Sequence, residues 1–165
     1  MAAAGAHDIP RMTAGGAQPC RGRLPLVRTI VHDVGMFTSE AVTRAVRVSV
    51  VSEYAPARSR PQANEWFFLY TITIKNEGDE SVQLMSRHWI ITNGAGEVEE
   101  VRGPGVIGQQ PVIAPGESFT YTSGCPLTTQ FGTMEGTYHM TTSSGELFDV
   151  KIATFTLSEP YSVQH

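Results

Sequence analysis

Along most of the chain, apolar and polar residues alternate with a period of two, which is the spacing of a half-buried strand and not of a helix. Residues 66–75, W-F-F-L-Y-T-I-T-I-K, show it best. Trp66, Phe68, Tyr70, Ile72 and Ile74 share one face, while Phe67 and Leu69 load the other near the start. Loading on both faces predicts a central strand, or an end covered by a loop. Upstream the β pattern opens at Ala41, with Val42, Val46, Val48 and Val50 on one face and Thr43, Arg47 and Ser49 on the other. Residues 54–64 carry Pro56 and Pro61 and are expected to form a loop. Asn76-Glu77-Gly78-Asp79 turns the chain into a strand over residues 81–92, and Asn93-Gly94-Ala95-Gly96 turns it back toward Val98 and Val101. Ala114-Pro115-Gly116-Glu117 leads into a short strand at Phe119 and Tyr121, and residues 132–142 and 146–157 pair across Ser143-Ser144-Gly145. In the last strand Phe148, Val150 and Ile152 have one parity and Phe155 and Leu157 the other, so a bulge is expected near Ala153 or Thr154. About seven strands without a helical period predict an all-β, two-sheet β-sandwich.

Residues 1–35 are different material. Ala and Gly are frequent, Pro10, Pro19 and Pro25 interrupt, and Arg11, Arg21, Arg23 and Arg28 face only Asp8 and Asp33. Such a segment buries too little apolar surface to offset its ordering. The expected division is a flexible extension over residues 1–38, a sandwich domain over 39–160 and a tail over 161–165. An acid-poor, Arg-bearing leader also has the composition of an organellar transit peptide. The rest of the composition is ordinary for a globular chain, 41% hydrophobic and 17% charged. A net charge of −4 argues against broad affinity for nucleic acid or an anionic membrane. No apolar run approaches the ~18 residues of a membrane helix. Cys20 and Cys125 are expected to be unpaired, which suggests a reducing, cytoplasmic setting, or an organelle if the leader is a transit peptide.

Candidate chemistry concentrates in residues 101–127. Gly103-Pro104-Gly105-Val106-Ile107-Gly108 is formally G-x-G-x-x-G, which grips a pyrophosphate when a helix follows. Pro111 and Pro115 forbid that helix, so the glycines are expected to bend a connection between the sheets. Gly103, Gly105 and Gly108 could still form an amide nest for an anion, with Arg102 and Arg87 supplying charge. Trp89 is expected to be a half-buried platform along which Arg87 packs its stem. His88 and His139 lack metal-ligand spacing and are expected to be structural or exposed. Cys125, beside Ser123-Gly124, has no nearby base in sequence and is expected to be a small buried residue and not a nucleophile. Glu97 and Glu99 point the same way along a strand and, with Glu100, suggest a solvated face. No converging catalytic set is evident, and no cofactor or metal is implied.

Four stretches together resemble one family. G-P-G-V-I-G-Q-Q-P at 103–111, A-P-G-E-S-F-T-Y-T-S-G-C-P-L at 114–127, G-T-M-E-G-T-Y at 132–138 and Q-L-M-S-R-H-W-I-I-T at 83–92 are similar, in order and spacing, to the ApaG (DUF525) family. The resemblance spans about residues 39–160 and implies a fibronectin type III-like sandwich. It also implies a non-enzymatic protein-interaction module, since such domains occur in some F-box proteins and in a polymerase-delta-interacting protein. With no F-box-like segment ahead of the domain, the chain resembles the standalone bacterial form. The bacterial family is linked to cobalt and magnesium tolerance and is often encoded beside a diadenosine tetraphosphatase. Two readings follow. In one the domain binds an unidentified protein partner, with a homodimer left open; in the other the loop 103–108 binds pyrophosphate or a diadenosine polyphosphate.

Overall fold

The computed structural model describes residues 36–160. Among these residues nine strands follow one another: β1 (Met36–Thr43), β2 (Val46–Tyr54), β3 (Trp66–Asn76), β4 (Val82–Asn93), β5 (Val98–Pro104), β6 (Val112–Ile113), β7 (Ser118–Leu127), β8 (Phe131–Thr142) and β9 (Leu147–Ser158). Among the described residues the only helical pieces are two 3-10 turns, Pro56–Arg58 and Pro61–Ala63, inside the expected 54–64 loop. One sheet runs β1-β2-β3-β7; the other runs β5-β4-β8-β9, with β6 also on β4. All pairings between these strands are antiparallel.

Alternation explains the layers. Val46, Val48, Val50, Phe68, Tyr70, Ile72 and Ile74 enter the core from the first sheet, and Val82, Leu84, Trp89, Ile91, Tyr138, Val150 and Ile152 from the second. Fully burying side chains of this size stabilises by roughly 1.5–3 kcal/mol each. β3 lies between β2 and β7, as its two-sided loading predicts. The expected parity break in β9 is real. Met134 faces Phe155 and Gly136 faces Ile152, so Ala153 and Thr154 oppose the single residue Glu135. A second bulge, between Leu84 and Ser86 in β4, moves the inward parity from Leu84 to Trp89.

Several expectations are corrected. β1 begins at Met36, so residues 36–38 belong to a strand and not to the extension. Val42 does not share a face with Val46. A two-residue turn at Arg44-Ala45 separates them, and Val42 is exposed. The strand at Phe119 and Tyr121 is not short: β7 continues through Ser123-Gly124-Cys125-Pro126 to Leu127 along β3. Pro126 is tolerated because β7 is an edge strand. The extension up to residue 35, with Cys20, and the tail 161–165 lie outside the described residues.

The edges of the sandwich differ. On one side β1 and β9 abut, tied by Ser39 Oγ donating to Ala153 O (3.1 Å) and Lys151 N donating to Thr43 Oγ1 (3.2 Å). From β2, Ser52 Oγ donates to Thr156 O at 2.6 Å, which satisfies a buried hydroxyl. On the other side β5 and β7 end their sheets.

Candidate functional site

The glycine motif lies within the edge of one sheet, not in a connection between the two. β5 pairs with Ser86–Thr92 of β4, and β6 resumes on the same strand at Val82 and Gln83. The two are halves of one interrupted edge strand, and residues 105–111 are an excursion between them. The crossing to the other sheet comes later, at Ala114-Pro115-Gly116-Glu117. No helix follows the glycines, as Pro111 and Pro115 predict.

The excursion is a small hairpin with its own ladder. Val106 N donates to Gln109 O (2.8 Å), and Gln109 N returns to Val106 O (2.9 Å). Ile107 and Gly108 between them have φ of 44° and 72°, the doubly positive arrangement of a type I′ turn. A β-branched residue at positive φ is an outlier held by its surroundings. Those surroundings are visible. Val106 is 1% exposed and anchors the hairpin in the core. Gly105 N donates to Met85 O (2.9 Å), and Gln110 Nε2 donates to the same carbonyl (2.9 Å). Gly105 has φ 59°, and a Cβ on it would lie 2.1 Å from Gln109 O, so no other residue fits there.

Arg87 braces the hairpin from below. Its Nη1 donates to Pro104 O (3.1 Å) and Gly105 O (2.8 Å). The guanidinium crosses directly over Gly103, where a Cβ would come within 3.2 Å of Nη1. Trp89 is not a half-buried platform for it. Trp89 is 2% exposed and packs edge-on against Tyr70, Tyr138 and Phe155, with ring centroids 5.5, 6.2 and 6.0 Å away. Beside this cluster the hydroxyls of Tyr121 and Tyr138 bond to each other. Burial raises both phenols well above their usual range, and the positive charge of Arg87 opposes the shift in each. Arg102, opposite His88 on the outer face, is exposed and has no ion pair among the described residues.

The other candidates fall apart from this group. His88 bonds Glu100 across β4 and β5 (3.2 Å), and His139 bonds Asp149 across β8 and β9 (2.6 Å). Among the described residues no group of three or more His, Cys, Asp or Glu could hold a metal ion. Glu97, Glu99 and Glu100 are exposed. Cys125 is a free, buried thiol, and burial pushes it up to about 12, far from a thiolate nucleophile. A depression of about 330 Å³ is lined by Met85, His139, Leu147 and Phe148 and includes none of the glycines in its lining.

Sequence reasoning missed Asn76. This buried side chain donates to Glu80 O (2.8 Å) and Ile113 O (2.9 Å) and accepts from Gly78 N (3.0 Å). Its backbone also bonds Glu117 and Gly116. It ties the β3–β4 turn to β6 and to the sheet crossing that follows. The available signal was an Asn closing an apolar strand at a turn.

Comparison with known proteins decides the family. The ApaG domain model matches residues 56–142. The chain belongs to the ApaG family. Protein ApaG of Afipia carboxidovorans is 54% identical over 120 residues, covering 73% of this chain and 92% of the relative. Protein ApaG of Beijerinckia indica is 48% identical over 123 residues, covering 74% and 95%. A crystal structure from Bordetella pertussis that bears the name ApaA is 52% identical, with a TM-score of 0.69, over 71% of this chain and 95% of that one. The ApaG domain match spans the glycine hairpin, Arg87, Trp89 and the strands β3 to β8.

Proposed function

We propose that this ApaG domain is a non-enzymatic interaction module whose recognition element is the hairpin Val106-Ile107-Gly108-Gln109. The observation that carries it is the strained tip: Ile107 at φ 44° is held in place by a core anchor, a ladder and the Arg87 brace. Binding residues concentrate in loops fixed by a rigid scaffold, and retained strain points to a use for the loop. In this reading the family's cobalt and magnesium association acts through the partner.

The anion reading has one observation in its favour: Arg87 and Arg102 flank the loop without a carboxylate partner among the described residues. Against it, the amides of Gly105, Val106 and Gln109, which a nest would aim at an anion, are already bonded to protein carbonyls.

Gly108→Asp and Ile107→Asp alter the tip itself; a Cβ on Gly108 meets nothing within 4 Å, so the cost there is confined to the backbone strain of its positive φ. In affinity capture followed by mass spectrometry, the wild type is expected to enrich a partner that Gly108→Asp and Ile107→Asp both lose. Unchanged partner sets would remove the hairpin from the interface. Calorimetric titration with pyrophosphate and diadenosine tetraphosphate is expected to show no binding. Micromolar affinity that disappears in Arg87→Ala and Arg102→Ala would replace the adaptor reading with the anion one.

A further inference from the structure

The edge of β5, unpaired among the described residues, carries a pattern that fits a second copy of itself. Asn93 N donates to Glu97 O (3.0 Å), and Gly105 N to Met85 O (2.9 Å), at the two ends of the β4–β5 register. Bonds in an antiparallel pair alternate, so the odd-numbered residues of β5 bond β4. Val98, Glu100 and Arg102 therefore turn their N–H and C=O groups outward, along with the carbonyl of Pro104. These are the unpaired groups of an edge strand.

A closed two-fold pairing that continues the sheet has its axis perpendicular to it, which keeps every side chain on its own face. Each residue must then meet one of its own parity. Centring on Glu99, Glu100 or Arg102 sets that residue against its own copy, a like-charge contact. Centring on Val101 does the opposite. Val101 meets Val101, and Glu100 meets Arg102 on both sides of the axis. The exposed Val98, 63% accessible, meets Pro104. Glu99 meets Gly103, the position over which Arg87 lays its guanidinium. In this register Glu100 and Arg102 also exchange both of their outward backbone bonds. The two cations, neither with an ion pair inside its own chain among the described residues, each acquire a carboxylate.

We propose that the ApaG domain pairs with a second copy through antiparallel β5 edges centred on Val101, with Glu100–Arg102 and Glu99–Arg87 contacts across the axis. The pairing makes one continuous sheet from two copies. It stands independently of what the hairpin binds.

Sedimentation equilibrium of the full chain tests it. The wild type is expected at twice the monomer mass, and Glu100→Arg and Arg102→Glu are each expected to weaken self-association about tenfold or more. The decisive sample is a mixture of the two variants. One then carries only positive and the other only negative charge at these positions, so the heterodimer is expected to form where neither variant pairs with itself. Amide exchange supplies the second readout. Val98, Glu100 and Arg102 should gain protection with concentration in the wild type and lose it in each variant, while protected Glu99, Val101 and Gly103 amides show that the fold is intact. A wild type that stays monomeric throughout its soluble range would overturn the proposal and leave the edge to another protein's strand. Variants that associate as well as the wild type, or a mixture that fails to pair, would equally overturn it.

Discussion

At the scale of single residues, the three motif glycines are not equivalent. Gly103 makes room for the Arg87 guanidinium, and Gly105 makes room for the carbonyl of Gln109. Gly108 has open space around it and needs only its positive φ. Alanine at Gly108 should therefore cost about 1–2 kcal/mol, the penalty of a left-handed alanine. Alanine at Gly105 adds a contact of 2.1 Å to the same backbone penalty. It should cost about 3 kcal/mol or more, or force the hairpin open. Urea unfolding of the two variants checks this. Equal costs would mean that the Gly105–Gln109 approach relaxes freely. A glycine pattern alone could not rank them, because the ranking depends on which backbone atom faces each missing Cβ.

At the scale of elements, what could be read from the chain was whatever declared itself by period. The long alternations of β3, β4, β8 and β9 and the β9 bulge follow directly from the order of apolar positions. The turns were less legible. Arg44-Ala45 adopts φ of 47° and 64° with none of the Gly, Asn or Asp that usually marks such a turn, so β1 and β2 looked like one strand. The expected strand was a short one at Phe119 and Tyr121, whereas β7 runs on through Pro126, which its edge position tolerates. Trp89 was misplaced because the Leu84–Ser86 bulge resets inward parity within β4. The role of Arg87 was invisible for a related reason: its partners are backbone carbonyls of a segment distant in sequence. Asn76 joins elements that no local pattern connects. Asn76→Ala leaves the buried Ile113 carbonyl without its side-chain donor, along with the other groups this amide held. A loss of about 1–3 kcal/mol is expected, with amide exchange in the β3–β4 turn and around β6 rising first. Uniform loss of protection across all strands would show that Asn76 supports the core as a whole and not this junction.

At the scale of the molecule, the two sheets are sewn together along β1 and β9 and, among the described residues, end unpaired at β5 and β7, and their shared core holds three groups that must stay protonated. Cys125, Tyr121 and Tyr138 are all raised by burial, so folding favours the neutral form of each. The sign follows from proton counting. Above pH 9.0, the ordinary value of a thiol, the unfolded chain has released the Cys125 proton while the folded chain keeps it until about 12. The unfolded state then binds fewer protons, and stability falls as pH rises, by at most about 1.4 kcal/mol per pH unit for one group. The stability is fully present below pH 9.0 and is lost through the window up to about 12. The phenols join the decline as the pH approaches their own ordinary value of 10.0, so the thiol contributes most of it near pH 9.0 and shares it with them toward 10.0. Unfolding free energies measured across that interval should decline in the wild type. They should decline less steeply in Cys125→Ala, where only the phenols remain to drive the fall, although that variant starts lower because of the cavity it leaves. Parallel slopes for the two proteins would mean that the thiol titrates alike in both states and that water reaches it in the folded core.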